Sequence, residues 1–329
     1  MTASAAAPLL SVRDLRIVFD GRHGPLTALD GVTFDIAPGE ILGMVGESGA
    51  GKSLTGTAVI GLLDPPGRIA SGEIRLSGER IDNLPAEQMR RLRGRRIGAI
   101  FQDPLTSLHP LLKVGDQIVE TILTHLPVSR AEARRRALDL LKEVGIPAAE
   151  TRIDHFPHQF SGGMRQRVVI ALALCAEPSL IIADEPTTAL DVSIQAQITT
   201  LLKRLCREHG TSIMLVTHDM GVIAETVDRV AVMYAGRIVE MGPVEEVVRR
   251  PRHPYTAGLM ASIPSVHARH EHLNQIDGAM PRLNAIPSGC AFNPRCGRAE
   301  GFCRDNKPGL PLAAHAAACH FPLKEAAHA

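Results

Sequence analysis

Residues 46–53 read Gly46-Glu47-Ser48-Gly49-Ala50-Gly51-Lys52-Ser53, and no other stretch limits the fold of this chain as tightly. The pattern G-x-x-x-x-G-K-[ST] works in one context only: a buried strand leads into the first glycine and a helix starts near the lysine. Both are present. Ile41-Leu42-Gly43-Met44-Val45 is a short apolar run, and residues 54–63 can continue as a helix. The glycines let backbone N–H groups turn inward around a polyphosphate, and the helix start adds the positive end of its dipole. Lys52 is suited to the outer phosphates, and the Ser53 hydroxyl to Mg²⁺.

At 329 residues the chain can hold one large core, or a main domain with an appendage. It is 45% hydrophobic and 22% charged, a balance that fits a globular protein in water. The net charge of +1 supplies no field to hold a nucleic-acid backbone. Aromatics at 3%, with no Trp, leave no base-stacking platform, so no nucleic-acid partner is expected. No stretch reaches the roughly 18 apolar residues of a membrane span. The first residues, MTASAAAPLLSVRDLR, lack the basic-then-apolar order of a secretory signal. The expected place is the cytosol, with any membrane reached through a partner. In that reducing setting the six cysteines read as thiols or as metal or cluster ligands, not as disulfides.

Along the chain, residues 9–19 and 31–37 alternate as strands, joined through a Gly-rich turn at 20–24. After the phosphate loop and its helix, Asp64-Pro65-Pro66-Gly67 is a stop, and 72–76 resumes as strand. Residues 97–101 form a short apolar strand ending at Gln102. Residues 114–144 read as helical, as do 164–175 behind Ser161 and 192–207. Residues 180–184 and 212–217 read as strands. Strand and helix alternate to about residue 249, which predicts an α/β fold around a largely parallel sheet. Near Pro251 the composition changes: nine prolines and four cysteines fall between 251 and 329. The predicted division is therefore a main domain over 1–250 and a Cys/Pro-rich C-terminal extension over 251–329. Cys175 and Cys206, inside predicted helices, read as packing residues. The arginine runs at 90–96 and 134–136 read as solvated faces.

A phosphate loop alone says only that a nucleotide binds. The second element is Leu180-Ile181-Ile182-Ala183 running into Asp184 and Glu185. A carboxylate at such a strand end can hold Mg²⁺, and the next one can polarise a water at the γ-phosphate. The third is Phe160-Ser161-Gly162-Gly163-Met164, a small polar residue and two glycines opening a helix, hence a second anion site. One γ-phosphate cannot be gripped by both helix starts of a compact domain whose first start already wraps the β-phosphate. The second start therefore points to a site completed by another chain.

With these pieces in this order, residues 9 to about 250 resemble the ATP-binding subunits of ABC transporters. The resemblance implies a P-loop ATPase domain: a mostly parallel sheet core, an antiparallel β subdomain and a helical subdomain over about 103–175. It implies adenine stacking on Phe19, although Phe19 reads equally well as a strand aromatic in the core. It makes residues 46–53 the Walker A loop, Gln102 the Q-loop residue near Mg²⁺ and the transmembrane partner, and Ser161, Gly162 and Gly163 the signature. Asp184 and Glu185 become the Walker B pair, with Asp184 and Ser53 on Mg²⁺ and Glu185 as catalytic carboxylate. Ala189-Leu190-Asp191 becomes the D-loop, and His218 the switch histidine at the γ-phosphate. Met164 replaces the usual Gln of the signature and Phe160 the usual Leu. Both replacements keep the serine hydroxyl and the glycine amides, so hydrolysis is expected.

The tail narrows the resemblance. Cys290, Cys296, Cys303 and Cys319, in GCAFNPRC and ACHFP, together with HPYTAGLMASIP (253–264) and FQDPLTSLHP (101–110), resemble the oligopeptide and dipeptide importers. There the cysteines are implied ligands of a 4Fe-4S cluster. Their spacings of five, six and fifteen intervening residues contain no C-x₂₋₄-C pair of a zinc module and match no standard ferredoxin run. Cluster, zinc and unligated thiols stay open, with His315 and His320 as substitute zinc ligands. The implied activity is ATP hydrolysis at a head-to-tail dimer of nucleotide domains, driving peptide uptake. The implied partners are a second, sister ATPase subunit, two transmembrane permease subunits and a periplasmic or extracellular peptide-binding protein. The implied location is the cytoplasmic face of the inner membrane. The rival readings are a DNA-repair or translation ABC ATPase, a module that binds ATP without turnover, and import of nickel or glutathione.

Overall fold

Glycine and proline set the element boundaries more than propensity does. The computed structural model describes residues 7–21, 24–188, 190–262 and 275–323. The first strands are β1 (Leu10–Gly21) and β2 (Gly24–Ile36), so the second is much longer than the predicted 31–37. Strand β3 (Ile41–Val45) is buried throughout and leads into the phosphate loop. Helix α1 (Lys52–Val59) stops short of the predicted residue 63. Gly61 takes a left-handed φ of 64°, and the Leu62 N–H closes back on the Thr57 carbonyl at 2.8 Å. Strands β4 (Gly67–Leu76) and β5 (Glu79–Arg80) pair antiparallel, and a four-stranded sheet runs in the order β2-β1-β4-β5.

Next come α2 (Ala86–Leu92), β6 (Ile97–Ile100), α3 (Pro104–Ser107), α4 (Val114–His125), α5 (Arg130–Glu143), α6 (Ala149–Arg152) and α7 (Gly162–Leu174). The stretch predicted as helical from 114 to 144 is two helices, because Pro127 cannot continue the first. Ser129 then caps the second by accepting from the Glu132 N–H at 3.2 Å. Ala133, Ala137 and Leu141 form the buried stripe of α5, at a spacing of one helical turn. Strand β7 (Leu180–Asp184), helix α8 (Val192–His209) and strand β8 (Ser212–Val216) follow. Strands β6, β7 and β8 are parallel neighbours, with Ile100 opposite Ala183 and Asp184 opposite Val216.

The remaining elements are α9 (Met220–Thr226), β9 (Arg229–Tyr234), β10 (Arg237–Pro243), α10 (Val244–Arg249), α11 (Pro254–Ala261), α12 (Gly301–Asp305) and β11 (Ala316–Ala317). Strand β3 runs parallel to β9, and β9, β10 and β11 continue antiparallel. The tail thus supplies an edge strand, which its proline content did not predict.

By packing, the chain forms two units. One gathers Ile36–Ile41 and Asn83–Val216; the other gathers Ser11–Asp35, Leu42–Asp82 and the chain from Thr217 onward. In the second unit the tail is fastened by the fully buried carboxylate of Glu240. It accepts from the backbone N–H groups of Arg252 (2.7 Å) and His253 (2.9 Å) and bonds His315 Nε2 at 2.7 Å. The arginine runs pair with neighbouring acids: Arg90 with Glu87, Arg134 with Asp154, and Arg135 and Arg136 with Glu132. Cys175 and Cys206 are buried, and burial pushes the Cys175 thiol up to about 12.

Candidate nucleotide site

The phosphate loop needs its glycines. Gly46 has φ 147°, and a Cβ there would run into the Met233 carbonyl. Gly51 has φ 104°, at the start of α1, with Leu29 where its Cβ would point. Only glycine fits both conformations. Ala50 is buried and ties the loop to the turn after β9, its carbonyl accepting from the Gly236 N–H at 2.9 Å. Lys52, 5% exposed, folds back so that Nζ donates to the carbonyls of Gly46 (2.8 Å) and Glu47 (3.1 Å). Its ammonium is therefore held over the loop, where anionic oxygens would meet it.

His218 is exposed, two residues beyond the end of β8. Its neighbours fix the backbone. The Thr217 N–H donates to the Met44 carbonyl at the end of β3, and Thr217 Oγ1 accepts from the Asp219 N–H at 3.0 Å. Asp219 in turn caps α9. Phe19 is half-buried in β1, and the Cβ that Gly67 lacks would meet its ring at 2.8 Å.

In the other unit, Gln102 and Glu185 come together. Gln102 Nε2 donates to Glu185 Oε2 at 2.9 Å, and Thr188 Oγ1 donates to the same oxygen at 2.9 Å. Glu185 has φ 48°, a conformation unfavourable for a residue with a Cβ, while its N–H is fixed on the Val216 carbonyl at 2.8 Å. The strained backbone and two side-chain donors hold this carboxylate in one orientation. Sequence reasoning missed Thr188; a threonine three residues after the acid is the signal that could have found it. Ser161 caps α7, its Oγ accepting from the Met164 N–H at 3.4 Å, and the first turn is exposed at Ser161 and Gly162. Gly163 lies against Ile194 of α8, closer than a side chain would allow. Met164 accepts a contact from Arg152 at 3.5 Å instead of the amide bonds a glutamine would make. Asp191 caps α8, accepting from the Ile194 N–H at 2.9 Å, while Ala189 lies outside the described residues.

The profile of the ABC transporter family matches residues 29–188, and that of the oligopeptide/dipeptide transporter C-terminal region matches 239–303. The oligopeptide transport ATP-binding protein OppD of Bacillus subtilis is 53% identical over 86% of this chain and 80% of its own length. The dipeptide transport ATP-binding protein DppD of Haemophilus influenzae is 44% identical over 96% of both chains. The chain belongs to the ABC transporter family. Among solved structures, cbiO1 of Clostridium perfringens, part of the ABC transporter complex cbiONQ, superimposes with a TM-score of 0.64. It is 31% identical and covers 74% of this chain and 91% of its own. A dimeric ATP-binding cassette in a post-hydrolysis state with ADP and Pi gives the same TM-score at 30% identity, covering 71% of this chain and 98% of its own.

The part that this ABC chain adds to the cassette is its cysteine-bearing tail. Cys290, Cys296, Cys303 and Cys319 line one small cavity with His253, Phe292 and His320. The four are free thiols. The hairpin-like contact between the Cys290 N–H and the Cys303 carbonyl, 2.8 Å, brings two of them together. Gly289 permits that approach, because a Cβ there would meet the backbone carbonyls of Cys303 and Arg304. Burial pushes the thiols of Cys290 and Cys319 up, and the neighbouring cysteines add to the rise. Among the described residues, no group of three or more His, Cys, Asp or Glu is arranged as it stands to hold a metal ion. The donor chemistry still fits a four-thiolate ligand set, since one cavity gathers four sulfurs. His253 is 1% exposed, and burial pushes it down to about 4, so it enters the cavity neutral. His315 does not line this cavity but is committed to Glu240.

Proposed function

We propose that this chain hydrolyses ATP as one of a pair of ATPase subunits and so powers the import of di- or oligopeptides. The observation that carries the reading is the held carboxylate of Glu185, one residue after Asp184 at the end of β7, in a chain that also has a complete phosphate loop. In this reading Lys52 and the loop amides bind the phosphates, and Ser53, Asp184 and Gln102 hold Mg²⁺, which neutralises charge on the phosphate oxygens. Glu185 takes the proton of the attacking water, and His218 contacts the γ-phosphate. Phe19 stacks on adenine. Ser161, Gly162 and Gly163 serve the nucleotide of the opposite subunit, with Asp191 beside it.

The partner ATPase is a sister chain, and two permease subunits with an external peptide-binding protein complete the importer. No helix of the described residues is long and apolar enough to cross a membrane. In this reading the chain attaches peripherally, through its permease partners, at the cytoplasmic face of the inner membrane. The match of the tail to the oligopeptide/dipeptide C-terminal region supports peptide as cargo over nickel or glutathione. Reconstituted with its permease and binding protein in vesicles, the complex should hydrolyse ATP faster when the binding protein carries a peptide. Equal stimulation by nickel or glutathione instead of peptide would overturn the cargo assignment.

The four thiols are proposed to hold a 4Fe-4S cluster, with zinc as the second reading. Protein purified without oxygen should contain iron and inorganic sulfide and show thiolate-to-iron charge-transfer absorption. Stoichiometric zinc without iron would decide for the second reading.

A further inference from the structure

Glu47, the second residue of the phosphate loop, is held at both its backbone and its side chain by the tail. Its N–H donates to the Tyr255 hydroxyl at 2.9 Å, and Tyr255 is fully buried in α11. Both carboxylate oxygens of Glu47 are 3.0 Å from Nη1 of Arg295, the residue preceding Cys296. Arg295 is itself immobilised. Its side chain is 6% exposed, Nε donates to the Asp277 carbonyl at 2.9 Å, and Nη2 donates to the Ile276 carbonyl at 3.1 Å. The guanidinium lies 5.8 Å from the ring centre of Tyr234 and 6.0 Å from that of Phe292. Such a group loses little freedom in gripping a carboxylate, and its charge cannot drift into water.

An anionic side chain on a loop built for polyphosphate opposes its ligand unless the charge is cancelled. Of the loop residues, Glu47 is the one that carries a carboxylate. We propose that Arg295 is a positioning residue of the nucleotide site: it neutralises Glu47 and locks the first turn of the phosphate loop, so that the cysteine-bearing tail sets the affinity for ATP. This rests on the ATP reading above. Glu185, which handles the water, lies in another element, so the effect falls on binding and KM rather than on kcat.

The test compares MgATP affinity of the full chain, and KM and kcat of the assembled importer, in wild type, Arg295→Met, Arg295→Lys, Glu47→Gln and the Arg295→Met/Glu47→Gln double variant. Arg295→Met should raise Kd and KM about tenfold with kcat changed less than about threefold. Arg295→Lys should recover part of the affinity, because it keeps the charge but not the fork. In the Glu47→Gln background, Arg295→Met should cost less than about threefold, since the charge it masks is gone. An unchanged Kd in Arg295→Met, or the same fold loss in both backgrounds, would overturn the proposal; the second result would mean a merely structural arginine. If Arg295→Met does not fold, Arg295→Lys in the two Glu47 backgrounds makes the same comparison, with unequal losses expected. Failure of the wild type to bind MgATP would instead strike the ATP reading itself.

Discussion

Thr188 and Gln102 both donate to Oε2 of Glu185, and the backbone of that residue is held at a positive φ. A carboxylate so restrained keeps its lone pairs aimed while the nucleotide comes and goes. Thr188→Val removes one donor of roughly 1 kcal/mol, so kcat should fall about fivefold, with Thr188→Ser restoring most of it. Steady-state hydrolysis by the assembled complex measures this, and a kcat unchanged in Thr188→Val would remove Thr188 from the site. Gly46→Ala should abolish nucleotide binding, because the Met233 carbonyl occupies the direction of the new methyl group. Equilibrium binding of a labelled nucleotide checks that outcome.

At the scale of the elements, Asp191 caps α8 and stands in the sequence position of the D-loop. These roles separate by substitution. Asp191→Asn keeps a capping oxygen and should leave the melting temperature within about 1 °C, whereas Asp191→Ala should cost about 1 kcal/mol, or some 2–4 °C. Loss of hydrolysis in the thermally intact Asp191→Asn would mark a role beyond the cap. The elements that carry the nucleotide motifs were legible in the sequence, because β3, β7 and β8 are short apolar runs, the first leading into Gly46 and the second ending in Asp184. Elements such as β5, α12 and β11 were not, since each has five residues or fewer and owes its form to packing rather than periodicity. Pro127 was visible, but the helical periodicity on either side outweighed it. In the site, the motif residues were readable one by one. The tie between Glu47 and Arg295 was not, because 248 positions separate them and neither stands in a pattern with the other.

For the molecule as a whole, the tail is a built part of the unit that carries the phosphate loop, joined through β11, Glu240 and Arg295. Glu240 is wholly buried, and its side chain is held by the Arg252 and His253 N–H groups and by His315 Nε2. His315→Ala removes one of them and should destabilise the chain by about 3 kcal/mol, read as an earlier urea midpoint; an unchanged midpoint would show that the tail is fastened elsewhere. Peptide import by this chain is proposed to be driven by a single reaction, the hydrolysis of ATP. Glu185→Gln tests that most directly, because it keeps the size and the hydrogen bonds of the side chain but removes its basicity. In the assembled complex the variant should bind MgATP with wild-type affinity and turn over at less than about 1% of the wild-type rate. Hydrolysis at an undiminished rate would contradict the account.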